Sequence, residues 1–442
     1  MIEKTYIARD GASLDLGDEE LDALFSEALS QALADVNSAG QVIIVPPDTT
    51  RFHSRGGFLT DVAARQLINK NRLGAILPAL GTHTALTAAE INKMFPGTPK
   101  EKFLVHKWRT GIAELGRLDA PWVQEKTGGA VAFDWPVQVN RLLQKSGAGS
   151  GGFSMIISIG QVVPHEVAGM ANHAKNLFIG TGGKEAIDKS HFAGAAYGME
   201  RIMGRIDTPV RAMFDEGLTR FADKMPPVLW VLTVIGNKTE SDATAVRGLY
   251  IGFDRECFEK ACELAGKVNI ELIDKPVKKA VVFLDPDKYR TAWLGNKAIY
   301  RTAMAIADGG EILIMAGGLE RFGEDIEVDG LIRKYGYRPG REIISRVETD
   351  ACLAGNLCTA AHLIHGCGEG RFTVRYCPGA GLSRKEIESA GYQWGDLKEA
   401  NARYNAGKLP PGWNTMNDGE RIFFVSDPAL GLWAARRRFT GG

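Results

Sequence analysis

The sequence predicts an α/β protein of two domains, and three observations carry that expectation. The chain has 442 residues, a length that implies two or three domains. Short apolar runs alternate with helical patterns, the rhythm of a layered α/β domain. The alternation restarts after Pro226-Pro227.

In the first series, strands are expected at residues 42–45, 75–80, 103–105, 130–133 and 155–159. Each is brief and bounded by Gly, Pro or polar residues, as buried parallel strands tend to be. Helical patterns cover residues 60–69, 86–93, 137–145 and 184–190. The second series has strands at 228–235, 280–284, 311–315, 372–376 and 422–425. Its helices are expected at 257–267, 291–307, 350–365 and 384–390. The boundary falls between about residues 225 and 275, giving an N-terminal domain of 1–250 and a C-terminal domain of 251–442.

Hydrophobic residues make up 45% of the chain and charged residues 24%, the balance of an ordinary globular protein. Lys plus Arg and Asp plus Glu are 53 each, which argues against a general nucleic-acid binder. The run Arg436-Arg437-Arg438 reads as a solvated helix face. Met1-Ile2-Glu3-Lys4 lacks the pattern of a signal peptide, and no apolar run is long enough for a membrane span, so a cytoplasmic location is expected. Six cysteines without a C-x-x-C pair fit reduced thiols.

Gly147, Gly149 and Gly152 match G-x-G-x-x-G by letter. A dinucleotide fingerprint follows a strand and opens a helix. Here the glycines follow a helical pattern and precede a strand, so they read as a connector.

Three segments place chemistry just beyond strand ends, where ligands collect in α/β sheets. The first is Asp48-Thr49-Thr50-Arg51. Aspartate before threonines is ordinary capping chemistry, whereas a guanidinium there grips a carboxylate through two hydrogen bonds. The second is Gly81-Thr82-His83, whose imidazole suits acid–base work near neutrality. The third runs from Pro164-His165 to His173 and Lys175, followed by Gly180-Thr181-Gly182-Gly183 and His191. Backbone N–H groups of such glycines hold phosphates in other folds, and a plain turn opening a helix explains them equally well. His362 and His365 share one face of an apolar helix near Cys358 and Cys367. Without a structural-zinc spacing, that helix reads as packed interior.

Taken together, the three segments resemble the nickel-dependent lactate racemase family. The matching residues are Asp48-Thr49-Thr50-Arg51, Gly81-Thr82-His83 and Pro164-His165-Glu166-Val167-Ala168-Gly169, with Lys175 ten residues after His165 and His191 sixteen after Lys175. The resemblance implies two α/β domains with the active site in the interdomain cleft. It implies a nickel-pincer nucleotide (pyridinium-3-thioamide-5-thiocarboxylic acid mononucleotide with Ni) bonded to Lys175, with His191 as the protein's nickel ligand. Asp48 and Gly182 are then cofactor contacts, Arg51 and Lys297 substrate contacts, and His83 and His165 the acid–base pair.

The activity so implied is racemisation or epimerisation of a small-molecule 2-hydroxy acid. In the family, hydride leaves substrate C2 for the cofactor, a 2-keto acid forms, and hydride returns to its other face. Two histidines move the hydroxyl proton, and cofactor-synthesis enzymes act as suppliers. The chain departs from the family at several places. Met170-Ala171-Asn172-His173 stands where the family has Tyr-Ser-Gly-Gly, Phe52 replaces a proline, and Leu294 replaces a glutamine. Read without the resemblance, the same histidines also suit a zinc- or iron-dependent hydrolase or lyase, or a non-catalytic hydroxy-acid binder.

Overall fold

The structure is a computed structural model of the chain and describes residues 2–145, 152–238, 241–429 and 431–441. Gly147 and Gly149 of the glycine-rich stretch lie outside the described residues. The chain forms two compact units. One comprises Met1–Ser190 with Gly204–Asn269, and the other His191–Met203 with Ile270–Gly442. The main division falls after Asn269. The excursion at His191–Met203 has no counterpart in the sequence-based expectation.

The first unit contains ten strands among the described residues: β1 (Thr5–Asp10), β2 (Val42–Val45), β3 (Leu73–Ile76), β4 (Ile112–Leu118), β5 (Trp135–Asn140), β6 (Met155–Gln161), β7 (Pro164–His165), β8 (Gly169–Met170), β9 (Val228–Lys238) and β10 (Ser241–Gly252). Six of them make one sheet in the order β1-β10-β9-β6-β2-β3. The run β9-β6-β2-β3 is parallel, while β10 and β1 are added antiparallel. Every residue of β2 and β6 is buried, as in strands covered on both faces. Val42 and Ile44 join Ile157 and Ile159 in one core with helices Asp18–Asp35 and Gly56–Asn69. The helix Glu256–Asn269 packs on β9 and β10.

Three local expectations are corrected. Residues 137–145 are not helical: β5 pairs antiparallel with β4, and a short 3-10 turn, Arg141–Leu143, follows. Trp135, Val137 and Val139 are fully buried, a period of two that specifies a strand. Residues 130–133 form no strand. Residues 103–105 contribute only a bridge from Phe103 to Ile76, with Leu104 and Val105 exposed.

The second unit is built on a sheet ordered β15-β14-β13-β12-β17-β16. Its strands are β11 (Ile270–Ile273), β12 (Val277–Phe283), β13 (Ile306–Ala316), β14 (Phe372–Pro378), β15 (Gln393–Trp394), β16 (Gly412–Thr415), β17 (Arg421–Val425) and β18 (Leu432–Ala435). All pairings in that sheet are parallel except β16 with β17. β11 and β18 form a separate parallel pair. The helix expected at 291–307 is two short helices, Ala292–Gly295 and Lys297–Thr302, joined at Asn296. The one expected at 350–365 is broken at Gly355-Asn356. None of the six cysteines forms a disulfide. Among the described residues, no helix is long and apolar enough to cross a membrane.

Ile157 lies at the centre of β6 with no exposed surface. Ile157→Ala should destabilise the protein by about 2–5 kcal/mol, because the surrounding strands cannot collapse onto the cavity. An unfolding free energy, measured by urea denaturation, that falls by less than a quarter of that would mean the core at β6 is loosely packed.

Candidate active site

The three chemistry-bearing segments leave the carboxyl ends of β2, β3 and β6, which are parallel neighbours. Backbone bonds stitch these loops together. Ala79 N–H donates to Pro46 O at 2.8 Å, and Gly81 N–H donates to Gly180 O at 2.8 Å. Gly81 sits at φ +56°, a turn that favours glycine. His53 Nε2 meets Gln161 Oε1 at 2.9 Å, and Thr233 Oγ1 donates to Ser54 O at 2.8 Å, tying the Asp48 loop to β6 and β9.

Asp48 is 5% exposed and uses both oxygens within the chain. Oδ1 accepts from Thr50 N at 3.1 Å and from Thr50 Oγ1 at 2.5 Å, capping the turn Thr49–Ser54. Oδ2 lies 2.5 Å from His83 Nδ1. Burial works to raise the Asp48 pKa, but the bonds from His83 and Thr50 and the charge of Arg51 outweigh it and hold it low. Asp48 is therefore an acceptor, so His83 carries its proton on Nδ1 and leaves Nε2 as a lone pair. The His83 side chain is 40% exposed and accessible from solvent. Asp48, expected as a cofactor contact, is thus seen to orient His83.

His165 is set the opposite way. It lies in the two-residue ladder of β7 and β8, where Pro164 pairs with Met170 and His165 with Gly169. Its Nδ1 accepts from the N–H of Val167 at 3.1 Å. With Nδ1 accepting, the neutral ring carries its proton on Nε2. The two histidines therefore hold opposite tautomers, one a proton acceptor at Nε2 and the other a donor.

Lys175 is half-buried in the short helix Ala174–Phe178. Its pKa is pushed down to about 8, first by burial and then by the charge of Arg51; Glu166 and Asp48 pull the other way, and Arg211 adds to the lowering. Arg51 breaks the regularity of its own turn, at φ −114° and ψ 31°. Its charge acts on both Asp48 and Lys175. The first unit thus gathers Asp48, Arg51, His83, Glu166 and Lys175 around one electrostatic centre, with His165 next to Glu166.

Just before Lys175 the backbone is unusual. Asn172 and His173 take φ values of +71° and +56°, and His173 has ψ −138°. Non-glycine residues held in such regions cost about 1–3 kcal/mol each. Surrounding contacts hold them there. Arg211, 1% exposed, donates to Met170 O at 2.5 Å and to Asn172 O at 3.2 Å.

Composition and motif did not single out His106. It is 3% exposed, donates from Nε2 to Gly182 O at 3.0 Å and accepts at Nδ1 from Asn140 Nδ2 at 3.0 Å. Burial pushes its pKa down to about 4, against the opposing pull of the Gly182 carbonyl. A Cβ on Gly182 would stand 1.7 Å from Phe178 O, so backbone crowding alone accounts for glycine at that position. Arg211 and Asp215 were also missed. Their spacing of four on the helix Pro209–Arg220 was the available signal.

His191 and Lys297 fall in the second unit. His191 is half-buried within the helix Lys184–Tyr197. Lys297 opens the helix Lys297–Thr302 directly after Asn296, which has no exposed surface. Asn296 Oδ1 accepts from Tyr376 OH at 2.6 Å and Tyr392 OH at 3.2 Å. His362 meets Tyr300 OH at 2.7 Å through Nδ1 and Tyr337 OH at 3.0 Å through Nε2, with Trp293 stacked on its ring. Both ring nitrogens are engaged, so the helix carrying His362 and His365 is packed interior. Among the described residues, no three His, Cys, Asp or Glu side chains cluster as a metal site.

These features define an α/β protein of two units whose first unit presents a lysine, an arginine and two oriented histidines at parallel strand ends. Residues 18–201 match the family described as lactate racemase N-terminal domain. Among solved structures, a Thermotoga maritima protein shares 23% identity and a TM-score of 0.79, covering 97% of this chain and 100% of that one. The lactate racemase apoprotein from Thermoanaerobacterium thermosaccharolyticum shares 15% identity and a TM-score of 0.68, covering 97% and 94%. At such identities the likeness is one of fold. A search of curated protein sequences returned no match.

The lowered pKa of Lys175 has a consequence for stability. The folded lysine loses its proton near pH 8 and the unfolded one near 10.5. Between those values the unfolded chain binds more protons, so this group's contribution improves as pH rises. Lys175→Met should therefore stabilise the protein at pH 7, by on the order of 2 kcal/mol allowing for the side chain's partial exposure. The gain should hold below pH 8, shrink between 8 and 10.5 and vanish above, as read from urea midpoints. A gain independent of pH would mean that Lys175 titrates normally.

Proposed function

We propose that this protein is an isomerase that racemises or epimerises a 2-hydroxy acid, with a nickel-pincer nucleotide attached to Lys175. The observation that carries the proposal is the Lys175 amine. It is half-buried, has a pKa near 8, and lies among Arg51, Asp48 and Glu166 at the ends of β2 and β6. An amine with a lowered pKa is partly neutral near physiological pH, the state required to bond to an acyl or thioacyl carbon. The residues fit the group: a nucleophilic amine for the covalent bond and a guanidinium for a carboxylate. His191 and Gly182 keep the roles the resemblance implies, nickel ligand and cofactor contact. The family match over residues 18–201 supports the reading.

A bound nickel-pincer nucleotide would supply a reversible hydride acceptor for a 2-hydroxy acid. The remaining chemistry belongs to the chain. Arg51 pairs with the substrate carboxylate through two parallel hydrogen bonds, and Lys297 is the second proposed substrate contact. His83 Nε2, with its lone pair available, takes the proton of the substrate hydroxyl. Asp48, bonded to His83 Nδ1, stabilises the imidazolium that forms. His165, with its proton on Nε2, donates a hydrogen bond to the substrate oxygen from its own position. Cofactor-synthesis enzymes are the expected partners, and the protein is expected to act in the cytoplasm.

The reading is tested on protein co-expressed with cofactor-making enzymes. Intact mass should show an adduct on the wild type that Lys175→Ala lacks, with one nickel per chain. A C2-deuterated hydroxy acid should interconvert with retention of deuterium in ordinary water. His83→Ala and His165→Ala should each lower the rate by about 100- to 10,000-fold. Full activity in Lys175→Ala, or stoichiometric zinc with activity and no adduct, would remove the cofactor from the proposal.

A further inference from the structure

We propose that His173 is a positioning residue: its ring, locked between two aromatic side chains, fixes the left-handed Asn172-His173 pair that sets where Lys175 stands. The inference deepens the reading of Lys175 as the reactive lysine and rests on it.

The geometry has three parts. First, the His173 carbonyl accepts the N–H of Asn176 at 2.8 Å, so His173 supplies the first carbonyl of the turn carrying Lys175. Asn176 Nδ2 in turn donates to Ser158 Oγ of β6 at 2.9 Å, anchoring the far side of Lys175. Second, the His173 ring is 2% exposed and lies 4.2 Å from the Trp230 ring and 5.0 Å from the Phe258 ring, stacked on the latter. The Asp215 carboxylate stands 3.7 Å from its Nδ1. Burial pushes the His173 pKa down, against the pull of Asp215 and with the help of Arg211 and Arg255, so the ring sits neutral in an apolar slot. Third, the backbone on either side is held. Asn172 Oδ1 accepts the His173 N–H at 2.7 Å, and Arg211 holds the carbonyls of Met170 and Asn172. Gly160 of β6 leaves room for the Asn172 amide, because a Cβ there would stand 2.3 Å from Nδ2.

Each contact restrains a positive-φ backbone that residues other than glycine adopt only at a cost, Asn and His more readily than most. Without the ring the pair would relax to ordinary angles and turn the helix Ala174–Phe178. Lys175 would then leave the charges that face it, Arg51 and Arg211 on one side of the balance and Glu166 and Asp48 on the other. The residues holding the ring come from β9 and from the helices Pro209–Arg220 and Glu256–Asn269. Residues far along the chain from the lysine thereby hold its loop.

The test uses the cofactor-free full-length protein, so it does not depend on the cofactor reading. Lysine acylation by acetic anhydride is followed by peptide mass spectrometry across pH, and the midpoint for Lys175 is compared with that of surface lysines. In wild type it should lie near 8. In His173→Gly, which tolerates the left-handed backbone but lacks the ring, it should rise by a full pH unit or more. His173→Asn should behave alike, and His173→Phe, which keeps the stacking, should restore a midpoint near that of wild type. Folded Gly and Asn variants with the wild-type midpoint would overturn the proposal. Loss of folding in both would also overturn it, in favour of a ring that serves stability alone. A shifted midpoint together with no adduct in cofactor-loaded wild type would leave the positioning role standing and remove the cofactor from Lys175.

Discussion

The parallel pairing of β3, β2 and β6 is the constraint on which the candidate site depends. Parallel neighbours end on the same edge of a sheet, so the loops that follow them emerge side by side. Asp48, His83 and Lys175 are far apart in the chain, yet those loops are joined by the bonds from Ala79 to Pro46 and from Gly81 to Gly180. A one-residue slip of β2 against β6 would exchange the faces of all four fully buried residues of β2. Because both faces of β2 are covered by apolar groups, side-chain packing and the bonds between the loops fix the register of the polar site together.

Charge balance follows from that arrangement. Arg51 and Lys175 are both cationic and close enough to influence one another, an unfavourable pairing tempered by Asp48 and Glu166. The result is a lysine that gives up its proton readily beside an aspartate that keeps none. Asp48 holds His83 with a proton on Nδ1, and the N–H of Val167 leaves the proton of neutral His165 on Nε2. Two imidazoles of equal intrinsic chemistry are made unequal by one acceptor and one donor placed at Nδ1.

The second unit uses its polar groups differently. Asn296, His362 and the tyrosines at 300, 337, 376 and 392 form a buried network in which both oxygens and ring nitrogens are engaged. Networks of this kind rigidify a core only when their members find partners. This one fixes the junction between two short helices, and Lys297 follows directly from it. The pair His362 and His365, read from the sequence as packed interior, is an interior element in three dimensions as well.

The sequence by itself determined the α/β class, most central strands of both sheets and the residues worth inspecting. Buried apolar runs and loop residues after strands are local signals, and β2 was legible to the residue. Against the family it resembles, it also showed Asn172 and His173 in place of two glycines, which marked the loop before Lys175 as a point of departure. Only the tertiary structure decided that β5 is a strand, since its alternation competes with a helical reading until β4 lies beside it. Only the tertiary structure paired Asp48 with His83 and gave His106 its place under Gly182. Only it surrounded His173 with Trp230, Phe258 and Asp215, because such contacts link residues with no fixed spacing along the chain. The physical reason is the same in each case: burial and charge depend on what packs nearby, and a linear pattern carries only the residue's own half of that pairing.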